Sequence, residues 1–265
     1  MTYGFIGAGN MGSAIIGGIL DCKIASPADI LVADTNADAL QNINYSRLTD
    51  ITDNVTAAKK SDALFLCVKP QVLYGVIDEI KDAVSENTLI ISIAAGQSIE
   101  AIETAFGKKI KLVRVMPNTP ALVGEGMAAL SPNSNVTDDD IKTVMCVFSS
   151  LGKAEVVSEH LMDAVTAVSG SSPAYVFMMI EAMADAAVRE GMPRGQAYTF
   201  AAQAVLGSAK MALETGKHPG ELKDMVCSPA GTTIEAVAAL EACGFRSAIM
   251  EAMRECAEKS RSLGK

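Results

Sequence analysis

A glycine triplet, a carboxylate and a hydroxyl-rich loop are the residues of this sequence whose types and spacing suit chemistry. Gly7-Ala8-Gly9-Asn10-Met11-Gly12 directly follows the apolar run Tyr3 to Ile6. In a G-x-G-x-x-G turn the first glycine permits the tight bend, the second lets a pyrophosphate approach the backbone, and the third lets a helix pack closely on the strand. The pattern therefore points to a dinucleotide. Asp34 ends a second apolar run roughly 20 residues past Gly12, the spacing at which a carboxylate accepts hydrogen bonds from the adenosine ribose hydroxyls. Such a carboxylate repels a 2′-phosphate, and no Arg or Lys stands between Asp34 and Ser46, so NADH is favoured over NADPH. Capping of the next helix is the competing role for Asp34.

The second chemical centre is Cys227-Ser228-Pro229-Ala230-Gly231-Thr232-Thr233, placed before the apolar run Ile234 to Ala242. Hydroxyls and free N–H groups at the amino end of a helix form a carboxylate site, assisted by the helix dipole. An ordinary N-cap would need one hydroxyl, and this loop offers three. Between the two centres, Cys67-Val68-Lys69-Pro70 and Ile93-Ala94-Ala95-Gly96 combine small residues, which allow close approach, with a proline that fixes a turn. Lys69 either orients the cofactor or is a solvated loop residue. Pro117-Asn118-Thr119-Pro120 makes a stiff loop that suits a ligand edge or a structural corner equally.

These residues need elements to hold them. Candidate strands are Tyr3 to Ile6, Asp29 to Ala33, Ala63 to Val68, Leu89 to Ile93 and Lys111 to Val115, alternating with helical patterns. That alternation predicts an α/β Rossmann-type, doubly wound parallel sheet, whose ligand loops converge at the carboxyl ends of the strands. After Val157 the strand signals stop and helices punctuated by Gly, Pro and Ser take over. Ser171 or Ser172 caps a helix that runs to Gly191, a second runs from about Gly195 to Glu214, and a third starts at Pro219. A fourth follows the Ser228 to Thr233 loop, and a last one starts at Arg246. The expected division is a dinucleotide-binding domain over residues 1–157 and an all-α domain over 158–265. Ala197 to Leu213 is apolar or small nearly all round, so it has to be buried, and a small domain has too little interior to do it alone. An obligate homodimer follows as the expectation.

Composition narrows the function classes. The 265 residues carry a formal net charge of −9 with 49% hydrophobic residues, which disfavours nucleic acid and anionic membrane as partners. The six cysteines form no C-x-x-C pair and there are only two histidines, so zinc, redox-motif and Ser-His-Asp chemistry are not expected, and no metal is. The chain enters a core strand at once and its most apolar long stretch, Ala174 to Val188, carries Glu181 and Asp185. Neither a signal peptide nor a membrane span is expected, and the location expected is cytoplasmic.

Gly4-Phe5-Ile6-Gly7-Ala8-Gly9-Asn10-Met11, Val68-Lys69-Pro70-Gln71, Arg114-Val115-Met116-Pro117-Asn118-Thr119-Pro120, Ser169-Gly170-Ser171-Ser172-Pro173-Ala174-Tyr175 and Ser228-Pro229-Ala230-Gly231-Thr232-Thr233-Ile234 occur in this order along the chain. Together they resemble the pyrroline-5-carboxylate reductase family. The resemblance implies reduction of (S)-1-pyrroline-5-carboxylate to L-proline with NAD(P)H, the last step of proline synthesis. It also implies a Rossmann domain joined to a helical dimerisation domain, dimers that often assemble into decamers, and active sites built by both subunits. It assigns cofactor contacts to Ile6, Gly7, Ala8, Gly9, Asn10 and Met11, to Asp34 and Asn54, to Cys67, Val68, Lys69 and Pro70, and to Ile93, Ala94 and Ala95. Ser228, Gly231 and Thr232 are assigned to the substrate carboxylate, and the Thr233 hydroxyl to the ring nitrogen. One departure stands out: members that prefer NADPH commonly carry a small polar residue or Asn-Arg where this chain has Asp34-Thr35.

Two rivals are weaker. A β-hydroxyacid dehydrogenase needs a lysine on the first interdomain helix, and Ser171 to Val188 has none. A non-catalytic nicotinamide sensor has no use for the Ser228 to Thr233 loop.

Overall fold

In β1 (Tyr3–Ile6) every side chain is buried, with Phe5 facing one side of the sheet and Ile6 the other. The same alternation places Phe65, Ile91 and Val113 on the first face and Leu64, Leu66, Ile90 and Leu112 on the second, as the two-residue period of a strand requires. Burial on both faces is what makes such strands near-continuous apolar runs. The computed structural model describes residues 1–36, 40 and 50–263. Its chain divides into one unit of Met1–Ser171 with Cys256–Lys265 and a second of Ser172–Glu255.

The first unit holds an eight-stranded sheet of order β3-β2-β1-β4-β5-β6-β7-β8. To β1 are added β2 (Ile30–Ala33), β3 (Asp50–Ile51), β4 (Ala63–Leu66), β5 (Leu89–Ser92), β6 (Lys111–Met116), β7 (Gly126–Pro132) and β8 (Gly152–Val156). The first six are parallel to one another; β7 runs antiparallel to β6, and β8 parallel to β7. The five expected strands are present within one or two residues of their limits. β3, β7 and β8 add to them, so the sheet is mostly and not wholly parallel.

Helices cover both faces. α1 (Asn10–Asp21) buries Gly12, Ile15, Ile16 and Ile19 on one stripe, packed against Phe5, Phe65 and Phe148. On the same side lies α5 (Asp138–Ser149), which starts with a Thr137–Asp140 capping box. The opposite face is covered by α2 (Asn54–Lys60), α3 (Pro70–Ile80) and α4 (Ile99–Phe106). Phe5 and Phe65 stack with centroids 4.6 Å apart at the middle of the first face.

A short helix, α6 (Met162–Val165), continues through a π-turn at Thr166–Gly170 toward α7 (Ser172–Arg189). The helix expected after Ser171 or Ser172 thus follows on from a wound segment. The second unit is all helical: α7, α8 (Arg194–Thr215), α9 (Pro219–Val226), α10 (Thr232–Ala242) and the start of α11 (Phe245–Leu263). Gly216 closes α8 at φ +63°, the left-handed geometry of a glycine C-cap. Within α8 only Ala197 and Ala201 are buried, while Phe200 and Leu213 are 65% and 67% exposed. Among the described residues no helix is long and apolar enough to cross a membrane.

Candidate active site

Each glycine of the fingerprint occupies a position whose geometry explains it. Gly7 sits at φ +104°, and a Cβ there would stand 2.5 Å from the Cys67 carbonyl oxygen. A Cβ on Gly12 would stand 2.3 Å from the Gly7 carbonyl oxygen, so the helix lies as close to the turn as it can. At Gly9 a Cβ would meet nothing within 4 Å. The space over Gly9 is open, and Gly9 is the N-cap of α1 with no side chain bonded to the helix end. That combination leaves amides and the positive end of the helix dipole for an anion.

Asp34, half-buried at the end of β2, accepts from the Ala8 N–H at 2.6 Å through Oδ2 and from the Asn36 N–H at 2.8 Å through Oδ1. Its carboxylate thus stiffens its own loop and reaches across to the fingerprint backbone, contacts the sequence did not single out. β3 is parallel to β2, which brings the loop after it to the same edge. There Asp53 caps α2, held below the usual aspartate range by bonds from the Thr56 N–H and hydroxyl. Asn54 follows and donates to Glu79 Oε2 at 2.7 Å.

After β4, the Cys67 N–H bonds the Ile6 carbonyl at 2.8 Å, which ties this loop to the fingerprint strand. Burial pushes the Cys67 thiol well above its ordinary pKa, so it remains a neutral thiol. Exposed Lys69 is the N-cap of α3, with Pro70 in the first turn, where its missing N–H costs nothing. After β5, the Ile93 N–H bonds the Leu66 carbonyl at 3.2 Å, Ala94 is buried, and Gly96 turns the chain at φ +74°. The loops holding Ile6 to Met11, Asp34, Asn54, Cys67 to Pro70 and Ile93 to Ala95 all leave the carboxyl ends of parallel strands. The strand order reverses between β1 and β4, and there an open α/β sheet offers its crevice.

The stiff loop after β6 is a corner. Asn118 donates to the Ser169 carbonyl and accepts from the Met127 N–H, both at 2.9 Å, so its side chain is spent on structure.

In the helical unit, the Gly231 N–H closes a turn onto the Ser228 carbonyl at 3.1 Å. Ala230 occupies the third position of that turn at φ +53°, where glycine is the usual residue. Gly231 is then the N-cap of α10, again with no side chain bonded to the helix end. A Cβ on Gly231 would stand 2.2 Å from Ser228 Oγ, so the serine hydroxyl lies directly over the glycine. Ser228 and Thr232 are exposed and Thr233 is half-buried at the first turn. The helix starts at Thr232, two residues earlier than the apolar run suggested.

The sequence did not single out Ala230 for its backbone, nor Gln97 and Tyr74, which are bonded to each other beside the Ile93–Ala95 loop. An alanine in the left-handed region leaves no mark in the sequence, and Gln97 depends on a residue far along the chain. A cavity of about 750 Å³ beside Leu20, Ile24, Pro27 and Asp29 lies away from the carboxyl-end loops of the sheet. Among the described residues no cluster of His, Cys, Asp or Glu is placed to hold a metal ion.

Two family models match the chain: "Pyrroline-5-carboxylate reductase dimerisation" over residues 159–263 and "NADP oxidoreductase coenzyme F420-dependent" over residues 2–96. The chain is 51% identical over 263 residues to the pyrroline-5-carboxylate reductase of Escherichia coli (strain K12), covering 99% of this chain and 98% of that protein. Among solved structures it matches a Plasmodium falciparum pyrroline carboxylate reductase with NADP bound, at TM-score 0.91 and 34% identity, covering 100% of this chain and 98% of that one. A pyrroline-5-carboxylate reductase from Coxiella burnetii matches at TM-score 0.92 and 34% identity, with the same coverage.

Proposed function

Because this chain belongs to the pyrroline-5-carboxylate reductase family, we propose that the fingerprint edge holds the nicotinamide cofactor and the Ser228–Thr233 loop holds the substrate for hydride transfer. The protein reduces (S)-1-pyrroline-5-carboxylate to L-proline with NAD(P)H. When bound, the reduced nicotinamide supplies a hydride to the imine carbon, and the ring nitrogen, protonated in the iminium, ends as the amine. The cyclic iminium is already electrophilic, so the protein's share is orientation more than strong acid catalysis.

Ile6 to Met11 take the pyrophosphate at the α1 amino end; Asp34 and Asn54 take the adenosine end, and Cys67 to Pro70 with Ile93 to Ala95 the nicotinamide end. Ser228, Gly231 and Thr232 hold the substrate carboxylate, and Thr233 is the catalytic residue, its hydroxyl at the ring nitrogen. The observation that carries the substrate half is the uncapped α10 amino end with the Ser228 hydroxyl lying over Gly231. Asp34 favours NADH, because a carboxylate already close to the fingerprint backbone leaves no welcome for a 2′-phosphate. Dimerisation and substrate binding are assigned to residues 158–265, of which 158–171 and 256–265 belong to the sheet unit; the subunits pair as an obligate homodimer, and such dimers are the unit of any decamer. The six free thiols support a reducing, cytoplasmic location.

Thr233→Ala is expected to lower turnover at least tenfold with NADH binding unchanged, measured by steady-state kinetics and by fluorescence titration; equal turnover removes Thr233 from the mechanism. Oxidation of NADH and of NADPH with pyrroline-5-carboxylate, followed side by side, tests the cofactor reading. A strong NADPH preference would overturn the role given to Asp34.

A further inference from the structure

We infer that Gln97, together with the end of α11, positions the Ile93–Ala95 loop for the cofactor, an inference that rests on that loop contacting the nicotinamide. The loop ends at Gly96, where φ is +74° and a Cβ would stand 2.8 Å from Leu263 Cβ. The last turn of α11 is therefore seated directly on the glycine. Next to it, Gln97 is only 7% exposed and uses both ends of its amide. Its Oε1 accepts from the Tyr74 hydroxyl at 2.5 Å, and its Nε2 donates to the Leu263 carbonyl at 3.3 Å. The final carbonyls of a helix have no partner within it, so Gln97 supplies one that α11 lacks. Tyr74 belongs to α3, which starts at Pro70 of the other nicotinamide-side loop. A single side chain thus ties both loops to one helix end.

The helix is held in register by a stripe of contacts at Cys256, Ser260 and Leu263, positions that share one face. Cys256 Sγ lies 3.2 Å from Ser171 Oγ, and buried Ser260 donates to Asp163 Oδ1 at 2.6 Å. A slide of α11 along its axis would break both contacts and carry the Leu263 carbonyl away from Gln97. The neutral amide accepts from tyrosine and donates to the carbonyl at once, which a carboxylate of the same length cannot.

Gln97→Glu keeps the acceptor and loses the donor; Tyr74→Phe removes the other bond while sparing the fold. Both are expected to raise KM for the nicotinamide cofactor roughly threefold to tenfold, with kcat within about twofold and KM for pyrroline-5-carboxylate unchanged. Ala95→Val, inside the loop, serves as the reference. If Ala95→Val raises the cofactor KM while Gln97→Glu and Tyr74→Phe do not, the positioning role is wrong and the loop assignment stands. If none of the three moves it, the loop assignment fails and the inference falls with it. A lowered melting temperature and kcat with an unchanged cofactor KM would show Gln97 to be structural only, and would overturn the proposal.

Discussion

Phe5, Phe65 and Ile77 in the sheet unit are fully buried, whereas Phe177, Met178, Phe200 and Leu213 in the helical unit are 63%, 69%, 65% and 67% exposed. Within Ser172–Glu255 the buried hydrophobic residues are Ala184, Ala197 and Ala201. The sheet unit buries its large side chains within its own chain; the helical unit leaves them uncovered. Burying four large apolar side chains stabilises a protein by roughly 6–12 kcal/mol, which rivals the whole net stability of a domain. The sheet fold is therefore completed within one chain, whereas on the proposed reading the helical unit is completed by a second one, although both read as strongly apolar in the sequence.

The sharpest way to break that contrast is a charge on the exposed helical face. Phe200→Asp is expected to abolish the dimer in sedimentation experiments and to cost more than a hundredfold in activity, while Val123→Asp, on a 77% exposed residue of the sheet unit, leaves assembly intact. A folded, active Phe200→Asp monomer would end the quaternary reading. A smaller effect separates two glycines within the sheet unit. Gly12→Ala drives a Cβ against the Gly7 carbonyl and is expected to destabilise the unit by about 1–3 kcal/mol in denaturant unfolding. Gly9→Ala finds open space, so stability is expected to hold while cofactor affinity falls tenfold or more. Equal stability losses would refute the division of labour between them. The smallest effect compares two non-glycine residues at positive φ, Lys23 at +56° and Ala230 at +53°. Either one changed to glycine relieves about 1 kcal/mol of strain, partly offset by chain entropy. Only Ala230→Gly is expected to alter KM for pyrroline-5-carboxylate; a matching change in Lys23→Gly would mean the strain at Ala230 is not tied to the site.

The parallel strands were legible because burial on both faces writes continuous apolar runs such as Ala63–Leu66. β7 and β8 were not. β7 is built largely of Gly, Ala and Pro, and β8, Gly152–Val156, is half-exposed and carries Lys153 and Glu155, so neither has a β-branched signature. The fingerprint could be read because Gly7 and Gly12 answer local backbone demands and Gly9 keeps the space at the α1 amino end open. Asp34 could be placed at the edge from its spacing, while its two hydrogen bonds needed coordinates. Gln97 could not be found at all, since its partner Leu263 lies 166 positions away.

The return of α11 to the sheet unit also sets an order of events during synthesis. Residues 1–171 leave the ribosome with every strand of the sheet present, but residues 256–263, which seat against Gly96, are translated only after the whole of 172–255. A nascent chain can thus pair its strands early while the Ile93–Ala95 loop still lacks its support. On the proposed reading, that support arrives only after residues 172–255, the bulk of the proposed dimerisation segment, have been made.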